Sequence, residues 1–330
     1  MNYDLRHIDS VLDFIEEKSV LSKDELIYYI LRKCLFILQE ETGMKHVTDR
    51  EITEYLELGL NYEYFYKHLK FFYGEEFNLG ILVDYFNSHI EEILHELQIN
   101  LSTIDSSELK IIFYHATSTV EDSSEVENYG LLDLRKVLTL NTPLKRFLLE
   151  NEIEIDFCNR TLNYQGNELI SFDNAKIDKT VRKLERDYQI NGILCPTNCD
   201  EGYYIGEKHY IIYPEFLSTL DSEMKTDLCE KWKKESKGLL IRCSVRLKDI
   251  FSFYSIDFDR SSTEGNLLNN EREILKNLFA LAFSRVICGH RESIINLKSG
   301  VEIQPKDLKV IGLKKIEERP EYFPQDILLE

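Results

Sequence analysis

The chain has 330 residues, an apolar fraction of 43% and a formal net charge of −19. This length suggests two domains, and the scarcity of glycine and proline argues against low-complexity tails and long linkers. Most of the charge, −13 of the −19, falls in residues 1–108, which hold 9 Lys and Arg against 22 Asp and Glu. Such an acidic surface repels nucleic-acid backbones and membrane phosphates, so it serves solubility or attracts a basic protein partner.

Several targeting and cofactor patterns are absent from the sequence. No apolar run of about 18 residues predicts a transmembrane helix, and the N-terminus does not resemble a signal peptide. We therefore expect a cytoplasmic protein with reduced cysteines and no membrane partner. Cys195 and Cys199 are the only close cysteine pair, and because no second pair matches them we expect no metal site. Without a glycine-rich phosphate loop, side chains and strand edges must hold any nucleotide.

The sequence of residues 1–108 predicts an acidic bundle of about five helices. Ser22–Glu25 is a capping box before the periodic segment "LIYYILRKCLFILQEE", and Thr48–Glu51 is a second. The segment "LVDYFNSHIEEILHELQ", residues 82–98, continues the helical spacing. The aromatic residues between Tyr62 and Tyr73 predict a core of large side chains rather than a binding groove.

The pattern changes at residue 109, and residues 109–330 predict an α+β domain with a mainly β core. "IIFYHATS", residues 111–118, predicts a buried strand that ends in a histidine and hydroxyl residues. Residues 125–140 predict one helix, and Thr142-Pro143 predicts the start of the next. Residues 153–172 alternate around the turn Gln165-Gly166-Asn167 and predict a hairpin. The remaining segments predict helices at 176–189 and 269–283, and strands at 192–196, 203–214, 238–247, 250–258, 301–305 and 309–317.

Two motifs in this second domain resemble the ADP-ribosyltransferase superfamily, in its histidine-type branch. Tyr114-His115-Ala116-Thr117, followed after a short helix by Tyr129-Gly130-Leu131-Leu132, is similar to the first core strand and Gly-Leu turn of that branch. Val301-Glu302-Ile303-Gln304-Pro305 is similar to the late strand that opens on the catalytic glutamate. The resemblance covers residues 109–318, so the helical domain 1–108 lies outside it.

The resemblance implies a transferase that takes NAD as its substrate and releases nicotinamide. Glu302 would be the catalytic carboxylate, which stabilises the positive charge on the ribose in the transition state and orients the attacking group. His115 would hydrogen-bond a ribose hydroxyl, with Thr117 adding a second contact. The aromatic residue that stacks on nicotinamide is ambiguous, and Tyr204 and Tyr213 are the preferred candidates.

Three functions remain open at this point. The first is transfer of ADP-ribose to a macromolecular acceptor, protein or nucleic acid, in a bacterial toxin or phage-conflict role that rests on analogy alone. The second is NAD hydrolysis on the same fold, with water as the acceptor. The third is a non-catalytic module that binds a nucleotide or protein. In an enzyme, the acidic helical domain would select the target, bind an antagonist or gate the cleft; in the binding module it would bind a basic protein.

Overall fold

The computed structural model describes ten parts of the chain: residues 4–5, 21–42, 48, 50, 80–104, 109–173, 179–194, 212–255, 271–288 and 293–315. Predictions for residues 51–79, including the aromatic cluster between Tyr62 and Tyr73, therefore lie outside the described residues, as do Tyr204 and, in the second capping box, Asp49 and Glu51. Within the described parts, no helix is long and apolar enough to cross a bilayer.

The described structure mixes α-helices with β-strands. The helices are α1 (Lys23–Thr42), α2 (Gly80–Glu96), α3 (Ser124–Tyr129), α4 (Leu134–Thr139), α5 (Pro143–Glu150), α6 (Lys179–Glu185), α7 (Glu215–Met224), α8 (Leu228–Glu235) and α9 (Glu271–Cys288). The strands are β1 (Asp4–Leu5), β2 (Lys110–Thr119), β3 (Ile153–Asp156), β4 (Thr161–Tyr164), β5 (Asn167–Ser171), β6 (Asn191–Ile193), β7 (Lys237–Arg246), β8 (Ile250–Ser255), β9 (Ser293–Leu297) and β10 (Leu308–Lys315). Short 3-10 turns lie at Leu101–Thr103, Leu247–Asp249 and Pro305–Asp307.

The chain divides into two compact units, and two of the five points where it passes between them fall inside strands β2 and β7. Unit 1 contains Met1–Phe113, Asn191–Thr197 and Ser244–Lys298. Unit 2 contains Tyr114–Ile190, Asn198–Cys243 and Ser299–Glu330. The domain boundary expected at residue 108 stays a prediction, because large parts of 1–108 lie outside the described residues.

Unit 1 combines long helices with antiparallel strands. The predicted capping box of α1 is confirmed: the Ser22 N–H donates to Glu25 Oε2 over 2.8 Å, and the Glu25 N–H donates to Ser22 Oγ over 3.4 Å. Phe86 of α2 packs on Phe279 and Phe283 of α9, with ring centroids 5.3 and 4.5 Å apart. Strand β9 pairs antiparallel with both β6 and β8.

Unit 2 is built around one apolar core under short helices. Strands β3, β4 and β5 form an antiparallel sheet, and its predicted turn is confirmed at Gln165 and Gly166, which have φ angles of 52° and 74°. Thr142 caps α5 by accepting the Lys145 N–H, as predicted. Trp232 lies at 1% exposure in the core, and its indole Nε1 donates to Ser118 Oγ over 2.8 Å. Strand β10 pairs antiparallel with β7.

Three sequence-based predictions were wrong in detail, two in unit 2 and one in unit 1. The single helix predicted at 125–140 is two helices, because Gly130 has a φ of 82° and ends α3. Residues 301–305 do not form a strand: Ile303 makes only an isolated bridge, to Leu131. The strand before the last one is β9, which the sequence analysis did not predict.

Candidate functional site

Gly130 and Ile303 join two distant segments of unit 2 in one tight contact. The Leu131 N–H donates to the Ile303 carbonyl over 2.9 Å, and the Ile303 N–H donates back over 3.0 Å. A Cβ at position 130 would lie 2.0 Å from the Ile303 oxygen, which is less than any normal contact. Glycine is therefore required here, both for its φ and for the close approach of the two backbones.

This bridge positions Glu302, which directly precedes Ile303. The Glu302 side chain is 22% exposed and forms an ion pair with the Lys136 ammonium, which is 50% exposed. Lys136 lies on α4, whose start is set by Asp133: this carboxylate, on a residue only 4% exposed, accepts the Lys136 N–H over 2.9 Å. The Gly130 turn, the α4 cap and the Ile303 bridge thus bring Lys136 and Glu302 together.

A cavity of about 610 Å³ opens beside this ion pair. Its wall comes from three segments of unit 2: the end of α3 with α4, the residue Tyr188 after α6, and the turn at Gly300–Glu302. The rings of Tyr129 and Tyr188 contribute flat apolar surface, and Leu132 and Leu140 extend it. This volume and mixed lining are typical of sites for small molecules, which measure about 300–1,000 Å³.

Arg135 occupies an unusual position in the same wall. Its Cζ lies 5.1 Å from the centroid of the Phe157 ring and 5.2 Å from that of Tyr188. The carbonyl of Tyr188 accepts the Leu134 N–H over 2.9 Å, so the backbone of Tyr188 is bonded to the start of α4. Two cation–π contacts therefore hold the guanidinium at the cavity.

His115 and Thr117 lie half-buried on β2, outside the lining of this cavity. Side chains alternate along a strand, so these two share one face of β2, and Ser118, which is bonded to Trp232, belongs to the other. The structure thus does not bring His115 or Thr117 into the lining of the cavity that contains Glu302, and their ribose contacts stay predictions.

Neither tyrosine candidate from the sequence is found at the cavity in the described structure. Tyr213 is half-buried and packs against the core that contains Trp232 and Phe216, and it is not among the cavity residues. Tyr204 lies outside the described residues. The aromatic rings at the cavity belong instead to Tyr129 and Tyr188, and Tyr188 was not a candidate from the sequence.

The sequence analysis also missed Arg135 and Lys136 as site residues. Asp133, three residues before Lys136, is a sequence signal for a helix start, and it could have placed both cations in the first turn of α4. No sequence pattern reports the stacking of Arg135, because Phe157 and Tyr188 approach it only in the folded chain.

One further titratable group lies close to the site in sequence. Burial raises the pKa of Glu125 on α3 to about 7, with a smaller contribution from the charge of Glu121 and an opposing one from Arg146. Arg146 and Glu121 form an ion pair beside it. Among the described residues, no group of three His, Cys, Asp or Glu side chains is arranged to hold a metal ion.

Comparisons of the chain with protein-family models, with curated proteins and with solved structures found no match.

Proposed function

We propose that the protein is an NAD-dependent ADP-ribosyltransferase whose reaction takes place at the cavity beside Glu302. One observation carries the proposal. The Gly-Leu turn, which is the second half of the first motif, and the Glu302 segment are joined by the Leu131–Ile303 bridge, and residues of both line the same cavity. This contact between two distant segments supports the proposal.

The chemistry follows from the position of Glu302. Cleavage of the bond between nicotinamide and ribose leaves positive charge on the ribose, and a fixed carboxylate beside that charge lowers the barrier. At 22% exposure, the Glu302 side chain is partly withdrawn from water, which strengthens its interaction with a developing charge. The same carboxylate can accept a proton from the attacking group.

Aromatic side chains supply the second requirement, a flat surface for the nicotinamide or adenine ring. Tyr188 and Tyr129 line the cavity, and stacking on such rings contributes about 0.5–1.5 kcal/mol. They take the role that Tyr204 and Tyr213 had in the sequence-based hypothesis. His115 and Thr117 lie on β2 outside the lining of this cavity, so their proposed ribose contacts rest on the resemblance alone.

The acceptor of the ADP-ribose is a macromolecule in this proposal, with water as the alternative for an NAD glycohydrolase. The acidic N-terminal third is proposed to bind a basic protein partner, because −13 of the net charge of −19 falls within residues 1–108. A bacterial toxin or phage-conflict role in the cytoplasm remains the proposed setting, by analogy with the superfamily.

A second candidate function is a non-catalytic nucleotide-binding module. The Lys136–Glu302 ion pair favours it, because an ammonium beside the carboxylate neutralises the charge that catalysis needs. For the enzyme, Lys136 must move away from Glu302 when substrate binds. For the binding module, the ion pair can stay intact.

Nicotinamide release from NAD tests the proposal directly. We expect Glu302→Gln to reduce the rate by about 100-fold or more, since removal of one such electrostatic contact costs about 10²–10³ in rate. Glu154→Gln is the matched control, because Glu154 is an exposed carboxylate on β3 of the same unit. If wild type releases no nicotinamide, the enzyme assignment fails and the binding module is favoured. If both variants keep the wild-type rate, Glu302 has no part in the mechanism.

A further inference from the structure

Four charged side chains line the cavity, and three of them already have partners within the protein. Asp133 caps α4 through the Lys136 N–H, and Lys136 pairs with Glu302. The fourth is Arg135, whose guanidinium makes two ring contacts. Within the part of the chain that the structure describes, no hydrogen bond or ion pair engages its N–H groups.

The geometry around Arg135 is suited to a ligand rather than to the stability of the fold. A guanidinium has five N–H donors in a planar fork that matches the oxygens of a phosphate. Cation–π contacts attract the charge without using these donors, so Phe157 and Tyr188 hold Arg135 in place and leave its donors available. Such preorganisation lowers the entropic cost of ordering this side chain when a ligand binds.

Other arginines of unit 2 show the contrast. Arg160 also lies over an aromatic ring, with its Cζ 5.9 Å from the Phe172 centroid. Its Nε and Nη1 donate to Asp173 and Glu185 over 2.8 and 3.0 Å. Arg146 pairs with Glu121. Arg135 differs from both in lining a cavity and lacking a carboxylate partner among the described residues.

We infer that Arg135 binds a phosphoryl group of the ligand that occupies the cavity. Lys136, the next residue, also lines the cavity and can add a second positive charge when it leaves Glu302, so a diphosphate matches the site better than a single carboxylate. The cavity then selects nucleotides over nucleosides. The identity of the nucleotide as NAD rests on the proposed function, whereas the phosphoryl contact of Arg135 does not.

Isothermal titration of the full chain with inorganic pyrophosphate, and separately with ADP, tests the inference. We expect wild type to bind both, and Arg135→Met to weaken both by about 10- to 100-fold, because hydrogen bonds to charged groups contribute about 1.5–3 kcal/mol. Arg135→Lys retains the charge without the fork and is expected to bind with intermediate affinity. Arg160→Met, the matched control, should bind like wild type.

The outcomes separate this inference from the proposed function. Failure of wild type to bind pyrophosphate, or equal binding by wild type and Arg135→Met, would overturn the phosphoryl contact. Thermal melting establishes that the variants fold, and Arg135→Lys provides the test if the methionine variant does not. Pyrophosphate binding that depends on Arg135 without any nicotinamide release from NAD would support the inference while refuting the proposed enzyme.

Discussion

Replacement of Gly130 by alanine adds one methyl group. We expect it to destabilise unit 2 more than the same addition at another turn of the unit. Gly130 has a φ of 82° and a ψ of −168°, a region that is essentially restricted to glycine and costs other residues about 1–3 kcal/mol. The added Cβ would also lie 2.0 Å from the Ile303 oxygen. Relief of that clash requires the two backbones to separate.

The separation would break both hydrogen bonds between Leu131 and Ile303, whose lengths are 2.9 and 3.0 Å. Each contributes about 0.5–1.5 kcal/mol. Together with the backbone strain, the expected loss in free energy of unfolding is about 2–6 kcal/mol. Since Glu302 precedes Ile303, the change would also shift the candidate catalytic carboxylate and reduce nicotinamide release.

Gly166→Ala is the matched control for this experiment. Gly166 also has a positive φ, of 74°, but a Cβ there would meet nothing within 4 Å. Urea unfolding followed by circular dichroism gives the free energies of both variants. We expect Gly166→Ala to cost about 1 kcal/mol, from the backbone conformation alone. Equal losses for the two variants would refute the reasoning, because they would show that the contact with Ile303 contributes nothing.

Two further predictions concern buried polar groups in unit 2. Ser118→Ala removes the acceptor of the Trp232 indole N–H, a buried hydrogen bond of 2.8 Å. We expect the free energy of unfolding in urea to fall by about 1–3 kcal/mol, because the indole donor is left unsatisfied. A fall of less than about 0.3 kcal/mol would contradict the importance of that bond. Burial raises the pKa of the Glu125 carboxyl from 4.5 to about 7. The folded protein therefore binds the carboxyl proton more tightly than the unfolded chain does, and the stability that this binding adds is lost as the pH rises from about 4.5 to about 7. Glu125→Gln should therefore stabilise the protein at pH 8 by about 1–2 kcal/mol, discounted for partial exposure, and by almost nothing at pH 4; a stability difference that does not change with pH would argue against this titration.

The correct sequence-based predictions share a local origin. The Ser22–Glu25 box, the Thr142-Pro143 start of α5 and the Gln165-Gly166 turn each depend on hydrogen bonds or φ angles within four residues. Such signals act before any tertiary contact forms. The prediction for residues 125–140 went wrong for a related reason: apolar spacing continues through Gly130, and the periodicity does not report that a glycine there adopts a positive φ.

The site itself could be predicted only in part. The resemblance singled out Glu302, and the structure places this residue at the cavity, while its catalytic role stays a prediction. Its predicted strand does not form, because residues 301–304 pair with a single residue, Leu131, rather than with a neighbouring strand. Arg135 and Tyr188 were not predicted because neither belongs to a motif. Their significance comes from a contact between α4 and Tyr188, in the segment after α6.

The sequence by itself determined the local elements of this protein: where helices begin, where the hairpin turns and which residues can carry charge or accept a hydrogen bond. These follow from backbone propensity and short-range bonding, which need no distant partner. Only the tertiary structure decided that Leu131 meets Ile303, that Glu302 faces Lys136 and that two rings flank Arg135. Those contacts join segments far apart in the chain, and they form because packing of the whole unit, rather than any local preference, brings the segments together.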